Sequence, residues 1–343
     1  MNVLVVGGAG YIGSHVAKAL AKASFSPVTY DNLLCGHKSA VCYGPLEIGD
    51  IHNSKRLSEV LIKYDPIAVF HFAALTAIGE SVQNPAKYYH NNLIGTFNLL
   101  EAIRAYKTIP FLFSSTCAIY GLPHYIPIDE NHPQLPINPY GRSKLMVEKI
   151  IQDYHRAYNL PICILRYFNA AGADLDEEIG EDHEPENHLI PLILNTVLGK
   201  QPSINIFGTD YETPDGTAIR DYIHVQDLAE AHVRSLKYLL TGNTQLELNL
   251  GTGTGYSVKQ VIDQVENICN QTVNKNFCKR REGDAPILIA DSAKCRSLLN
   301  WTPSCSDLPT IIGSAWQWHK KMQKKMQESE KHFILSMQES HKG

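Results

Sequence analysis

Tyr140 and Lys144 stand four residues apart in NPYGRSKLMVEKI, a stretch with helical periodicity, so their side chains share one helix face. A tyrosine loses its proton near pH 10, too high for a base at neutral pH. An ammonium one turn away stabilises the phenolate and lowers that pKa, which is the chemistry of a general acid–base. A surface Tyr–Lys pair has the same spacing, so the reading needs support from upstream. Ser114-Ser115-Thr116 follows an apolar run at 109–113 that reads as a strand. Ligands of open α/β sheets bind beyond the carboxyl ends of the strands, which makes these hydroxyls site candidates. A helix cap or a serine/threonine turn is the alternative.

Both groups need a frame, and the first fifteen residues, MNVLVVGGAGYIGSH, supply its centre. Residues 3–6 read as a buried strand, and an apolar helical pattern opens at Tyr11 and Ile12. Between them run Gly7, Gly10 and Gly13, a variant of the dinucleotide fingerprint. Gly7 permits the tight turn, Gly10 lets backbone approach a pyrophosphate, and Gly13 lets helix pack on strand. The helix N-terminus then offers N–H groups and a positive dipole end to phosphate. A second strand ends at Asp31, eighteen residues past Gly13. A carboxylate there accepts the ribose hydroxyls of NAD and repels the 2′-phosphate of NADP, although Asp31-Asn32 also suits an Asx turn.

Strand-like and helical stretches then alternate: one closed by Gly49-Asp50-Ile51, then 53–64, 66–74, 85–106, 109–113, the Tyr140 helix and 163–168. This is the plan of an α/β fold, a doubly wound parallel sheet of Rossmann type. Asn91 and Asn92 are poor helix formers inside 85–106, and one of them is expected to point into a polar site. After an acidic loop at 174–186 the pieces shorten, as in a second, smaller α/β lobe for substrate. Residues 1–170 are assigned to the dinucleotide-binding body, completed by parts of 208–255. Residues 171–330 form the lobe, with interleaved segments, and 331–343 a tail. Arg220 and Arg281 lie among turn residues and fit phosphate, but Arg220-Asp221 also suits a structural ion pair.

With 343 residues, 44% of them hydrophobic and 19% charged, the chain can bury a sizeable core. A net charge of −4 argues against a nucleic-acid partner, and no apolar run reaches membrane-spanning length. Eight cysteines form no Cys-x-x-Cys pair and fifteen histidines no HExxH, so no metal site is expected. With a strand starting at residue 2 and reduced thiols, a cytoplasmic location is expected.

Ordered along the chain, GGAGYIGSH, YDNL, GDI, HFAALTAIGESV, FSSTCAIYG, PYGRSKLMVE, RYFNAAGA, NHLIPL, GTAIRDYIHV and REGD carry a specific resemblance. From Met1 to about residue 318 the sequence resembles the UDP-glucose 4-epimerase family of extended short-chain dehydrogenase/reductases. The resemblance implies tightly held NAD, a UDP-sugar partner, a homodimer and a role in galactose metabolism. It makes Tyr140 the base at the sugar 4-hydroxyl, Thr116 the hydroxyl at O4, and Lys144 the ligand of the nicotinamide ribose. A 4-keto sugar then turns over and takes the hydride back on its other face. Further NAD positions implied are Tyr11, Ile12, Asp31, Asn32, Asp50, Ile51, Phe72, Ala73, Asn91 and Phe168. For the uridine diphosphate they are Asn169, Leu189, Asn205, Phe207, Arg220, Val258, Arg281 and Asp284. The arginines would clamp the diphosphate, Phe207 would lie near the uracil, and Asp284 would hold a ribose hydroxyl.

Two positions depart from the family pattern. Thr76 replaces a cofactor-contacting lysine of bacterial members. Leu288 takes the place of a residue gating the sugar pocket, and leaves N-acetylated sugars open. Rival readings are a sugar-nucleotide dehydratase or decarboxylase, an epimerase of UDP-N-acetylhexosamines or UDP-pentoses, and a non-catalytic NAD-sensing regulator. Dehydration needs an acid–base group after Thr116, and Cys117-Ala118 supplies none.

Overall fold

Strand β1 (Asn2–Val6) lies inside a seven-stranded parallel sheet, and its side chains alternate between two cores. This computed structural model describes residues 1–281 and 284–340, with backbone only for 329–340. Val3 and Val5 pack on one face with Val16 and Leu20 of α1 (Tyr11–Lys22). Leu4 and Val6 pack on the other with Leu57 and Leu61 of α2 (Ser54–Tyr64). A strand covered by helices on both sides has no polar face, which is why it reads as an unbroken apolar run.

β2 (Ser26–Asp31) and β3 (Leu46–Ile48) extend the sheet to one side of β1. β4 (Val69–His71), β5 (Phe111–Thr116) and β6 (Ile162–Tyr167) extend it to the other. The chain therefore reverses its direction of travel at β1, and the crevice above β1 and β4 is the switch point where ligands of such sheets bind. β4 is shorter than the 66–74 expected, because the N–H groups of Phe72 and Ala73 both turn to the Val6 carbonyl.

The stretch 85–106 is not one regular helix. After α3 (Ile78–Gln83), α4 (Pro85–Tyr88) runs into a π-helical turn at Tyr89–Ile94 before α5 (Gly95–Tyr106). Asn92 inside that turn is buried, accepting from Leu75 N–H at 2.8 Å and donating to the Leu75 carbonyl at 3.0 Å and to Ser143 Oγ at 3.1 Å. These bonds hold a widened turn where a regular helix would point the amide elsewhere. α6 (Pro139–Tyr158) begins with proline in its first turn and Asn138 as cap, its Oδ1 accepting from Gly141 N–H at 2.8 Å.

Beyond β6 lie β7 (Asn169–Ala171), α7 (Leu189–Val197), β8 (Ile204–Phe207) and β9 (Ile219–His224). α8 (Val225–Leu240) packs on α1, and β10 (Gln245–Leu250) returns to pair with β6 as the seventh strand of the large sheet. A smaller mixed sheet joins β9 to β7, β11 (Gly255–Ser257) and β13 (Ile287–Leu288). β12 (Lys275–Cys278) pairs with β8. α9 (Val258–Cys269) opens with a Ser257/Gln260 capping box. With α7 and α11 (Leu308–Ser340) it encloses a separate core of Ile193, Leu194, Val261, Ile262, Ile311 and Ile312. α10 (Ala293–Leu299) lies against α8 and β10.

Candidate active site

The glycine turn shows which residues are demanded by the protein and which leave room. Gly7 has φ +82°, and a Cβ there would stand 2.4 Å from the Ala73 nitrogen. A Cβ on Gly13 would stand 2.3 Å from the Gly7 carbonyl oxygen. Gly10 differs: its closest Cβ neighbour would be 3.5 Å away, so no protein atom requires glycine there. As the N-cap of α1 it offers no side chain to the helix N–H groups. Open donors and open space at a helix N-terminus fit a pyrophosphate.

Asp31 Oδ2 accepts from Ala9 N–H at 2.9 Å and Oδ1 from Leu33 N–H at 2.8 Å. The Asx turn is therefore real, and it fixes the carboxylate at the end of β2 beside the glycine turn. Asn32 Nδ2 donates to Asp50 at 2.7 Å, and Asp50 Oδ1 accepts from His52 N–H at 2.8 Å. Ile51 is buried, and Phe72 and Ala73 lie beside Gly7 at the end of β4. The Tyr11 hydroxyl donates to the Gly172 carbonyl at 2.6 Å, and Asn91 donates to the Asn92 side chain at 3.0 Å. The buried, well-bonded asparagine is thus Asn92, and Asn91 stands next to it.

Thr116 ends β5, and its Oγ1 accepts from Ala118 N–H at 3.1 Å, the serine/threonine turn of the alternative reading. That turn does not occupy the hydroxyl proton, and the Thr116 side chain lies on the Tyr140 side, where it favours the phenolate. Burial nevertheless pushes Tyr140 up to about 12, against the pull of Thr116. Lys144 donates to the Ser114 carbonyl at 2.8 Å, lies 4.8 Å from the Phe113 ring centroid, and is brought down to about 7 by burial. In the protein alone, desolvation of both groups overrides the lowering of Tyr140 expected from a nearby ammonium.

Behind this pair runs a buried network whose importance the sequence pattern did not reveal. Ser115 Oγ donates to Glu148, one turn beyond Lys144, and Glu148 pairs with Arg166 at 2.8 Å, both fully buried. Arg166 also reaches Glu247 at 3.0 Å and the Tyr120 hydroxyl at 3.2 Å. The available signals were a carboxylate on the Tyr140/Lys144 helix face and an arginine inside the apolar run of β6.

On the lobe side, Arg220 pairs with Asp284 at 3.0 Å, not with its neighbour Asp221. Asp221 is buried and accepts from the backbone of Thr252, Gly253 and Ala290, so the Arg220-Asp221 ion pair does not occur. The Arg281 guanidinium stacks on Phe207, 3.9 Å from the ring centroid. Glu282 and Gly283 of the REGD motif lie outside the described residues. Asn205 shares the Phe207 side of β8 and is exposed, while Leu189 and Val258 open α7 and α9. Asn169 opens β7, directly after Phe168. Leu288 pairs in register with Arg220 and packs on the cluster of Cys117, Phe168 and Tyr120. The Cys117 thiol is buried and pushed up to about 12, so it is no acid–base group at neutral pH. A groove of about 760 Å³ runs along α1 and α8 and includes neither Tyr140 nor the glycines. Contrary to the expectation of no metal-ligand cluster, Glu181, His183, Glu186 and His188 converge before α7.

A model of the NAD dependent epimerase/dehydratase family matches residues 3–251. A UDP-glucose 4-epimerase of Rhizobium meliloti is 52% identical over 320 residues, covering 93% of this chain and 97% of the relative. The crystal structure of UDP-glucose 4-epimerase from Brucella ovis in complex with NAD superposes with a TM-score of 0.90 at 50% identity, over 92% of this chain and 97% of that one. One from Stenotrophomonas maltophila, with bound NAD and formylated UDP-arabinopyranose, gives 0.91 at 36% identity, over 95% and 99%. A matched family model and half-identical relatives along nearly the whole length leave one conclusion: the chain belongs to the NAD dependent epimerase/dehydratase family, and within it to the UDP-glucose 4-epimerase family.

Proposed function

We infer that the protein interconverts UDP-galactose and UDP-glucose, an isomerase with NAD as its cofactor. The observation that carries this reading is the meeting of Thr116, at the carboxyl edge of β5, with buried Tyr140 and Lys144 one turn on, the latter bonded to the Ser114 carbonyl, and no acid–base group at Cys117. Bound in the crevice, NAD would supply the hydride acceptor for sugar C4 and the donor that returns hydride to the opposite face of the sugar. Tyr140 takes the 4-hydroxyl proton and later gives it back, with the Thr116 hydroxyl as relay. Lys144 and Asn91 serve the nicotinamide side, while Gly7, Gly10, Tyr11, Ile12 and Gly13 serve the pyrophosphate. Asp31 and Asn32, with Asp50 and Ile51, serve the adenosine; Phe72, Ala73 and Phe168 flank the crevice. Arg220 and Arg281 hold the diphosphate, Phe207 and Asp284 the uridine, with Asn169, Leu189, Asn205 and Val258 completing the pocket.

The residues up to 170, with β10, act as the redox body and those from 171 as the nucleotide lobe. Exposed Ile94 and Phe97 at α5 and Met146 and Tyr158 on adjacent α6 support a homodimer through those helices. A cytoplasmic location is the matching proposal; no described helix is long and apolar enough to cross a membrane. Chromatography of UDP-galactose incubated with purified protein, without added NAD, tests the activity. Conversion to UDP-glucose with no net NADH supports it, and shows that NAD is retained although Thr76 is not lysine. No conversion even with NAD supplied removes this substrate assignment. UDP-N-acetylglucosamine in the same assay reads the room left beside Leu288.

A further inference from the structure

We propose that Glu181, His183, Glu186 and His188 form a binding site for one divalent transition-metal ion of the zinc type. The bound ion would fix the loop between β7 and α7 in the conformation that packs against the cofactor end of α1. The four residues each offer one ligand atom, and these atoms all lie within 4.8 Å of one another. His183 Nδ1 is 3.2 Å from Glu181 Oε1 and 3.8 Å from Glu186 Oε2. His188 Nδ1 also meets Glu181 Oε1 and lies 3.8 Å from Glu186 Oε1. Tetrahedral zinc with bonds of about 2.1 Å sets its ligand atoms roughly 3.4 Å apart, within the spread found here.

The chemistry of the set points the same way. Two carboxylates bring a charge of −2 that a divalent ion cancels while both imidazoles stay neutral and present lone pairs. Without an ion, two imidazoles whose ring centroids lie 5.4 Å apart would both have to donate to the same buried carboxylate oxygen. Imidazole nitrogens disfavour magnesium and calcium and suit zinc, cobalt or nickel. The surroundings hold the ligands in place. Glu186 Oε1 accepts from the N–H groups of Asn187 and His188 at 2.7 and 2.8 Å, which fixes its carboxylate. The carbonyl of Glu181 accepts from the Trp318 indole of α11 at 2.9 Å. The Tyr11 ring stands edge-on to His183 with centroids 6.3 Å apart, and Tyr11 is the first residue of α1. One ion would thus stiffen a loop that packs on α1 through Tyr11 and on α11 through Trp318, whichever sugar nucleotide the protein takes.

Tag-free holoenzyme, purified without chelator, tests this by elemental analysis. The expected result is close to one zinc per chain, or uptake of one zinc on dialysis against zinc salt. Replacement by cobalt should give the intense visible absorption of a four-coordinate ion. Thermal unfolding should rise with zinc and fall with chelator. The double variant His183→Ala/His188→Ala, checked for retained NAD absorbance and circular dichroism, should lose the metal and both shifts. Should that variant not fold, Glu186→Gln is expected to bind zinc at least ten-fold more weakly. Wild-type protein that takes up no zinc and unfolds identically with zinc or chelator overturns the proposal. So does metal that the folded double variant binds equally well.

Discussion

The cofactor side and the nucleotide side of this molecule are built by different means. Around β1 the geometry is set by backbone against backbone: Gly7 against Ala73 and Gly13 against Gly7, with no space for a methyl group. In the lobe the candidate contacts are side chains, Arg220 with Asp284 and Arg281 on Phe207, and the second pair is part-exposed. Backbone contacts cannot be exchanged one atom at a time, whereas side-chain contacts can. The cofactor side should therefore fail all at once and the lobe by degrees.

The sharpest way to break this contrast is Gly7→Ala. A methyl 2.4 Å from the Ala73 nitrogen at positive φ costs several kcal/mol, and soluble protein with bound NAD should be lost. A variant that purifies with normal NAD absorbance would erase the distinction. Next comes Tyr140→Phe, which should lower kcat about 10³-fold while NAD content and UDP-sugar affinity stay intact. Steady-state kinetics alongside ligand titration would check this, and retained turnover would displace Tyr140 as the base.

Acid should attack both sides. His15, His71, His224 and His232 are buried and held down to about 4, 3, 4 and 4 by desolvation, although Asp174 near His15 and Asp227 near His224 oppose it. Unfolded histidine binds its proton near pH 6.5, so between pH 6.5 and 4 the unfolded chain binds more protons than the folded one. Stability is therefore full above pH 6.5 and falls as pH drops toward 4, by up to ~1.4 kcal/mol per histidine and pH unit. Denaturant midpoints at pH 7 and 4.5 measure it, and unchanged midpoints would sink the idea. A smaller effect is expected for Arg220→Ala, which removes a charge-assisted contact of ~1.5–3 kcal/mol and should raise KM for UDP-sugar about 10- to 100-fold with NAD content unchanged. Arg281→Ala, part of an exposed stack worth ~1 kcal/mol, should raise it only several-fold.

The same contrast governs what was legible in the sequence. β1, β2, β5 and β6 of the large sheet are buried on both faces, so they stand out in the sequence as largely apolar runs. β13 has two residues and β11 three, too few to show a period. The Tyr140–Lys144 pair was readable because helix spacing fixes it. What Arg220 pairs with was not, because Asp284 is distant in sequence and near only through the pairing of β13 with β9. The widened turn at Asn92 depends on Leu75 and Ser143, which no local pattern connects to it. The Glu181–His188 cluster escaped because its spacing matches neither Cys-x-x-Cys nor HExxH.

The seventh strand of the sheet has a consequence for how the chain is made. β6 is buried along its whole length and is covered on one edge by β5, on the other only by β10, which begins at Gln245. A ribosome delivers the first six strands in sequence and then the lobe's first segments before that cover arrives. During this interval Ile162–Tyr167 presents a free, apolar hydrogen-bonding edge, the kind of surface to which another nascent chain adds. Slowing synthesis between Tyr167 and Gln245 should therefore lower the soluble yield of the protein without altering a single contact in its finished state.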